Sequence, residues 1–274
     1  MLPVPPPRAR LARMLEQPDL NLAAAALLIA QEEYPELDLG HYLAQLDGLA
    51  TALEPRLSDI TDPHQMVGHL NQFFFAEQGF TGNTQQYYDP RNSFLNQVLD
   101  RRIGIPITLS LVYLEVGWRR QLPLTGVGLP GHFLVSYQGA DPPLLIDPFH
   151  GGVLLSPEDC QQLVQSMYGE ALPFQVTHLS PVSKQYMLTR LLYNLKGIYL
   201  RAQDYPRALA VVERLLLLDP SALSELRDRG VLYYHLGYLS LALADFERFL
   251  AASTNSPAAD AVSQYVQEIK GRIN

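Results

Sequence analysis

A single cysteine, Cys160, is the only thiol in the 274 residues, and seven histidines are the only side chains that titrate near neutrality without help. Among them, His132 follows Gly131 and precedes an apolar run, while Asp147 stands before Pro148 at the end of another. A histidine and an aspartate so placed can form a buried hydrogen-bonded pair tying two strands together, or they can line a pocket. The run Asp147-Pro-Phe-His150-Gly-Gly152 also invites a metal reading, with His132, Asp147 and His150 as ligands. That spacing matches no strong metal motif, so neither a metal nor another cofactor is expected. Gly126-x-Gly-x-x-Gly131 has dinucleotide-loop spacing, but it contains Pro130 and leads into strand-like residues instead of a helix, so it is rejected. His64 and His69 lie five apart on a predicted helix and read as ordinary residues. Arg101-Arg102 and Arg119-Arg120 read as solvated helix ends.

Composition narrows the classes further. There are 20 basic and 28 acidic residues, for a net charge of −8, while 47 % of residues are hydrophobic and 18 % charged. Such a chain can bury a core, and it lacks the basic runs that phosphate-driven nucleic-acid binding needs. One cysteine excludes an intramolecular disulfide framework and a multi-cysteine zinc site, and it fits a reducing compartment. The longest apolar stretch, Leu22 to Ala30, is too short for a membrane span, and Glu16, Pro18 and Asp19 break any signal-peptide pattern. The expectation is a cytoplasmic protein with neither nucleic-acid nor membrane partners. The start, residues 1–7, is rich in proline and reads as loose or extended.

The elements that must hold these residues follow from periodicity and punctuation. Residues 8–57 read as two or three helices broken at Pro18, Pro35 and Pro55; another helix runs from Pro63 to about Gln78. A Gly/Asn-rich loop passes through Asp89-Pro90, after which residues 93–101 and 106–121 read as helices, the second opened by a proline in its first turn. Residues 124–128, 132–137 and 144–147 are short apolar runs bounded by Gly and Pro, which predicts strands. Ser156-Pro-Glu-Asp159 predicts a helix start, with serine as N-cap, proline at N1 and acids in the first turn. Helix, three strands, helix is an α+β order, an antiparallel sheet packed on a helix.

The C-terminal third repeats. Ala208-Leu-Ala-Val-Val-Glu-Arg-Leu-Leu216 and Ala242-Leu-Ala-Asp-Phe-Glu-Arg-Phe-Leu250 share six of nine residues at an offset of 34, the spacing of tetratricopeptide repeat (TPR) helix pairs. Leu192 and Leu226 take the large position early in helix A, and Tyr199 and Tyr233 the aromatic position seven residues on. Ala208 and Ala242 are the small residues of helix B, followed at i+4 by Val212 and Phe246. Pro220 closes the first unit, where the second has Thr254. Gly230 supplies the small helix A residue of unit two, but unit one has Lys196 there. About three units are needed for a stable stack. A helix from about 258 to 272 can cap the two seen here. The domain boundary is expected at 179–183, giving residues 1–180 and 185–274.

Gly104-Ile-Pro-Ile-Thr-Leu-Ser110, Gly126-Val-Gly-Leu-Pro-Gly-His-Phe133 and Leu145-Ile-Asp-Pro-Phe149 together resemble the transglutaminase-like (papain-like) core. With the repeat tail, the chain looks like the bacterial SirB-type proteins. The resemblance covers residues 89–160 well. It implies a Cys-His-Asp triad with the cysteine at a helix N-terminus, where the dipole stabilises a thiolate, and the histidine and aspartate on successive strands. His132 matches the family histidine and Asp147 the aspartate. The family's Gly-x-Cys falls on Gly104-Ile105-Pro106, so the nucleophile position is Pro106, which can neither attack nor be deprotonated. Ser110, one turn on, and Thr108 carry hydroxyls nearby. Cys160 could serve as a relocated nucleophile, although Glu158 and Asp159 oppose its ionisation. Two functions are thus expected in competition. One is a non-catalytic, regulatory protein that binds a protein or peptide through the TPR groove or the degenerate cleft. The other is a cysteine peptidase or transglutaminase-type amide-bond enzyme built on Cys160, His132 and Asp147. Homo-oligomerisation stays open.

Overall fold

A computed structural model describes residues 5–253 and 257–273. It divides into two compact units, residues 1–191 and 192–274, with the division inside one long helix. The boundary expected at 179–183 thus precedes the observed division, because the helix that opens the repeats begins in the first unit. Of the proline-rich start, residues 1–4 lie outside the described residues, as does Thr254; Pro7 already stands at the first turn of a helix.

Three helices open the first unit: α1 (Pro7–Leu15), α2 (Leu22–Gln31) and α3 (Leu39–Leu53). The apolar stretch Leu22 to Ala30 is a core helix, every residue of it buried. Asn21 caps it by accepting from the Ala24 N–H at 3.0 Å, and buried Glu115 accepts from the next orphan donor, Ala23 N–H, at 2.9 Å. Among the described residues no helix is long and apolar enough to cross a membrane. α4 (Pro63–Asn71) runs on into a π-helical turn, Gln72–Glu77. There follow β1 (Thr81–Gly82), α5 (Leu95–Arg101), β2 (Ile103–Gly104) and α6 (Pro106–Arg119). α6 is the central element, buried at every position from Pro106 to Gly117, so it is apolar or small nearly all round, and its buried Glu115 is partnered by Ala23 N–H and Arg119.

The sheet has five antiparallel strands in the order β6-β5-β4-β3-β7. These are β3 (Leu124–Val127), β4 (Leu134–Tyr137), β5 (Leu144–Asp147), β6 (Val153–Leu155) and β7 (Pro181–Val182). The three strands expected from the sequence form its centre; β6 and β7 are added edges. Strand β4 starts at Leu134, so His132 is not on a strand: it sits in the β3–β4 turn, its N–H donating to Leu129 O at 2.9 Å. One sheet face packs on α6. The other carries Val127, Leu134 and Leu145 against Cys160 and Val164 of α7 (Pro157–Tyr168). The start of α7 is as expected: Ser156 Oγ accepts from Asp159 N–H at 3.1 Å, and Asp159 Oδ2 accepts from Ser156 N–H at 2.8 Å.

The long helix α8 (Lys184–Arg201) leads into the second unit, which continues with α9 (Tyr205–Leu218), α10 (Leu223–His235), α11 (Leu239–Ala252) and α12 (Pro257–Ile273). The repeat positions do what their types require. Leu192, Ala208, Val212, Ala242 and Phe246 are fully buried, and Gly230 is small because Phe246 lies against it: a Cβ there would meet the ring at 2.6 Å. Lys196, the odd residue of the repeat, is buried too. Its Nζ lies 2.6 Å from both Glu225 and Asp228, so a charge cluster fills the place that unit two gives to a glycine. α12 covers the end, setting Ala259, Val262 and Ile269 on Phe246 and Phe249.

Candidate functional site

His132, Asp147 and His150 converge. His132 Nε2 lies 2.8 Å from Asp147 Oδ2, and His150 Nδ1 lies 2.7 Å from that same oxygen. The two imidazoles stack, with ring centroids 5.7 Å apart and planes 25° from parallel. His132 and Asp147 are buried, whereas the His150 side chain is 52 % exposed. The second carboxylate oxygen, Oδ1, accepts from the N–H groups of Phe149 at 3.0 Å and His150 at 3.3 Å. Burial alone would raise the Asp147 carboxyl, but hydrogen bonds and charge from His132 and His150 outweigh it and hold the group below the usual carboxylate range. The site therefore keeps a buried, ionised carboxylate between two imidazoles and two backbone N–H groups.

Local sequence explains the placement. Asp147 is the last residue of β5, and Pro148 turns the chain at once into a short 3-10 turn, which brings His150 back over the carboxylate. Gly151 and Gly152 both have positive φ, +71° and +80°, so the return needs glycine twice. Gly152 N–H donates to Asp147 O at 2.8 Å. Gly152 O accepts from Asn71 Nδ2 at 2.7 Å, and Asn71 Oδ1 accepts from Tyr113 OH at 3.0 Å. The turn holding His132 is pinned by Arg190, whose Nη2 donates to His132 O at 3.1 Å. Gly82 lets β1 approach the other turn, Pro148–His150: a Cβ there would sit 2.4 Å from Phe149 O. Because Gly82 pairs with Gly104, β1 carries the start of α6 to this end of the sheet.

Pro106 stands at the first turn of α6, buried. The hydroxyls near it are occupied. Thr108 Oγ1 accepts from Ile105 N–H at 3.1 Å and donates to Asn92 O at 2.7 Å; Ser110 Oγ donates to Phe133 O at 3.4 Å. Both are helix-packing and capping groups. Cys160 lies in the core, away from solvent. It is fully buried among Val127, Leu129, Leu134, Leu145 and Val164, and burial first, then the charges of Asp159 and Asp147, pushes its thiol up to about 11. The favourable helix start is overridden by desolvation and by two carboxylates. The supports that sequence reasoning missed are Asn71, Tyr113 and Arg190. The Gly-Gly pair after His150 was the one signal that this turn is tightly built.

Comparison with known proteins gives the class. Residues 40–193 match the transglutaminase-like superfamily, and the chain belongs to it; residues 195–267 match the tetratricopeptide repeat. Over nearly its whole length the chain is similar to bacterial proteins named UPF0162. One from Xylella fastidiosa is 36 % identical over 253 residues, 91 % of this chain and 90 % of that protein. One from Vibrio cholerae is 30 % identical over 251 residues, 91 % and 93 % of the two chains. Part of the chain, 63 %, is also similar to 28 % of mouse F-box only protein 21, at 32 % identity over 184 residues. No solved structure matched.

Proposed function

We propose that the chain is a non-catalytic binding protein, regulatory in role, whose transglutaminase-like core has lost its nucleophile and whose TPR segment engages a protein or peptide. The observation that carries this reading is Pro106 at the first turn of α6, where the family resemblance puts the cysteine. Thr108 and Ser110 are committed to backbone partners and burial holds Cys160 neutral in the core, which supports the view that none of these three serves as a nucleophile. His132 and Asp147 are on this reading the retained half of a triad, kept because they tie the β3–β4 turn to the end of β5. TPR surfaces serve protein recognition in general, which favours a helical or extended peptide as the ligand. A cytoplasmic location fits the single unpaired cysteine.

Two measurements test the reading. Peptide and glutamine-amide substrates are incubated with the full chain, and release of amine or ammonia is followed; no turnover above buffer is expected. Turnover abolished by His132→Ala would overturn it. Partner capture from lysate is then compared between the full chain and one ending after α8, and loss of the partner in the shortened chain is expected. The cut belongs after α8, because Met187, Leu188 and Leu191 are buried residues of the first unit.

A further inference from the structure

We infer that His132, Asp147 and His150 form a binding site for a divalent first-row transition ion of the zinc type. The ligand atoms His132 Nε2, Asp147 Oδ2 and His150 Nδ1 all lie within 4.8 Å of one another. Two imidazole nitrogens and one carboxylate oxygen are a borderline donor set that suits zinc and its neighbours and does not suit calcium or magnesium, which take oxygen. Spacing along the chain hid the site, because the fold, not a short motif, brings His132 to the other two.

Three features prepare the group for an ion. Asp147 Oδ1 is fixed by two backbone N–H groups, which orients the carboxylate and leaves Oδ2 as the atom facing both rings. Each ring now meets Oδ2 through one nitrogen, and the other nitrogens, His132 Nδ1 and His150 Nε2, make no hydrogen bond among the described residues. Each ring can therefore move its proton to that second nitrogen and present a lone pair inward, with no proton lost and no bond broken elsewhere. Finally, His150 is half-exposed, so an ion has a path in and one ligand has room to move. Tetrahedral zinc, with bonds of roughly 2.0–2.2 Å, needs donor separations of about 3.4 Å. The present 2.8 and 2.7 Å contacts would open by about 0.6–0.7 Å, at His150 by movement of that half-exposed side chain and at His132 by a small rotation of its ring. Three protein ligands leave a further coordination position for water or for a group on a bound partner. The inference goes beyond the binding reading and needs neither catalysis nor a partner.

The test is calorimetric titration of the metal-free full chain with Zn2+, and with Co2+ for its visible absorption. One tight site per chain is expected, with Co2+ bands of four- or five-coordinate intensity. His150→Ala, at a half-exposed position and with its fold checked by circular dichroism, should weaken Zn2+ binding by more than about tenfold. His132→Ala should do the same, while the exposed His64→Ala and His69→Ala should leave it unchanged. The absence of binding, or binding whose affinity and stoichiometry survive His150→Ala, would overturn the inference.

Discussion

Reaction of Cys160 with iodoacetamide separates a core thiol from a nucleophile. Only the thiolate alkylates, and burial with the Asp159 and Asp147 charges lifts this thiol from 9.0 to about 11. A thiol titrating at about 11 instead of 9.0 carries about 100-fold less thiolate at any neutral pH, roughly one molecule in ten thousand at pH 7. Full burial adds a second barrier, since the reagent reaches the sulfur only after local opening. The native chain should therefore label at Cys160 at least about 100-fold more slowly than the denatured chain near pH 7, with a rate still rising at pH 10. Mass spectrometry of the alkylated peptide from pH 6 to 10 provides the reading. The same shift acts on stability. Between the ordinary thiol value and about 11 the unfolded chain ionises first, so this contribution falls as pH rises through that window, by roughly 2–3 kcal/mol in all. Cys160→Ala should flatten that part of the alkaline decline in denaturant unfolding. Rapid labelling near pH 6, slowed by His132→Ala, would refute the reasoning and restore the amide-bond enzyme.

Further outcomes follow from packing and from buried charge. Lys196→Met removes the cation from Glu225, which is 2 % exposed, and should cost about 3–5 kcal/mol by urea denaturation; a cost below about 1 kcal/mol would show that water reaches the pair. Phe246→Ala empties the space between Gly230 and α12 and should destabilise by about 3–5 kcal/mol, read as a loss of the α-helical signal at lower denaturant. Gly82→Ala sets a Cβ 2.4 Å from Phe149 O, a backbone atom that cannot swing away. It should cost about 1–3 kcal/mol and shift the His132 and His150 ring signals in NMR spectra. Unmoved ring signals would mean that β1 does not hold the turn.

What could be read from the sequence tracks how local its cause is. The repeat was legible because its period is fixed: Ala208 and Ala242, or Val212 and Phe246, report one geometry twice. The helix start at Ser156 was legible because cap, proline and acid act within four residues. His132 was placed on a strand because Phe133 to Tyr137 continues an apolar run, and the turn bond from its N–H to Leu129 O leaves no mark in the sequence. Edge strands β6 and β7 are only three and two residues long, below the length at which alternation can be seen. Asn71, Tyr113 and Arg190 reach the site from 42 to 81 residues away from the groups they bond, and no local pattern carries such contacts.

On the binding reading proposed above, Pro106 shows why a fold can outlast its chemistry. At the first turn of a helix the N–H has no partner within the helix, so proline forfeits nothing there and its fixed φ favours the start. The demands of architecture at this position are thus met, and α6 is buried at every position from Ile107 to Gly117. Nucleophilic catalysis makes a different demand, for an ionisable atom aimed at the histidine, and proline fails it completely. His132 and Asp147 answer to a structural demand as well as a chemical one, because their bond joins the β3–β4 turn to the end of β5. A carboxylate buried beside two imidazoles would be costly without those partners, so removal of either histidine leaves the charge under-compensated. On that reading, selection for stability alone can hold the pair in place without a nucleophile, and the ion proposed for His132, Asp147 and His150 would give the pair a second reason to persist.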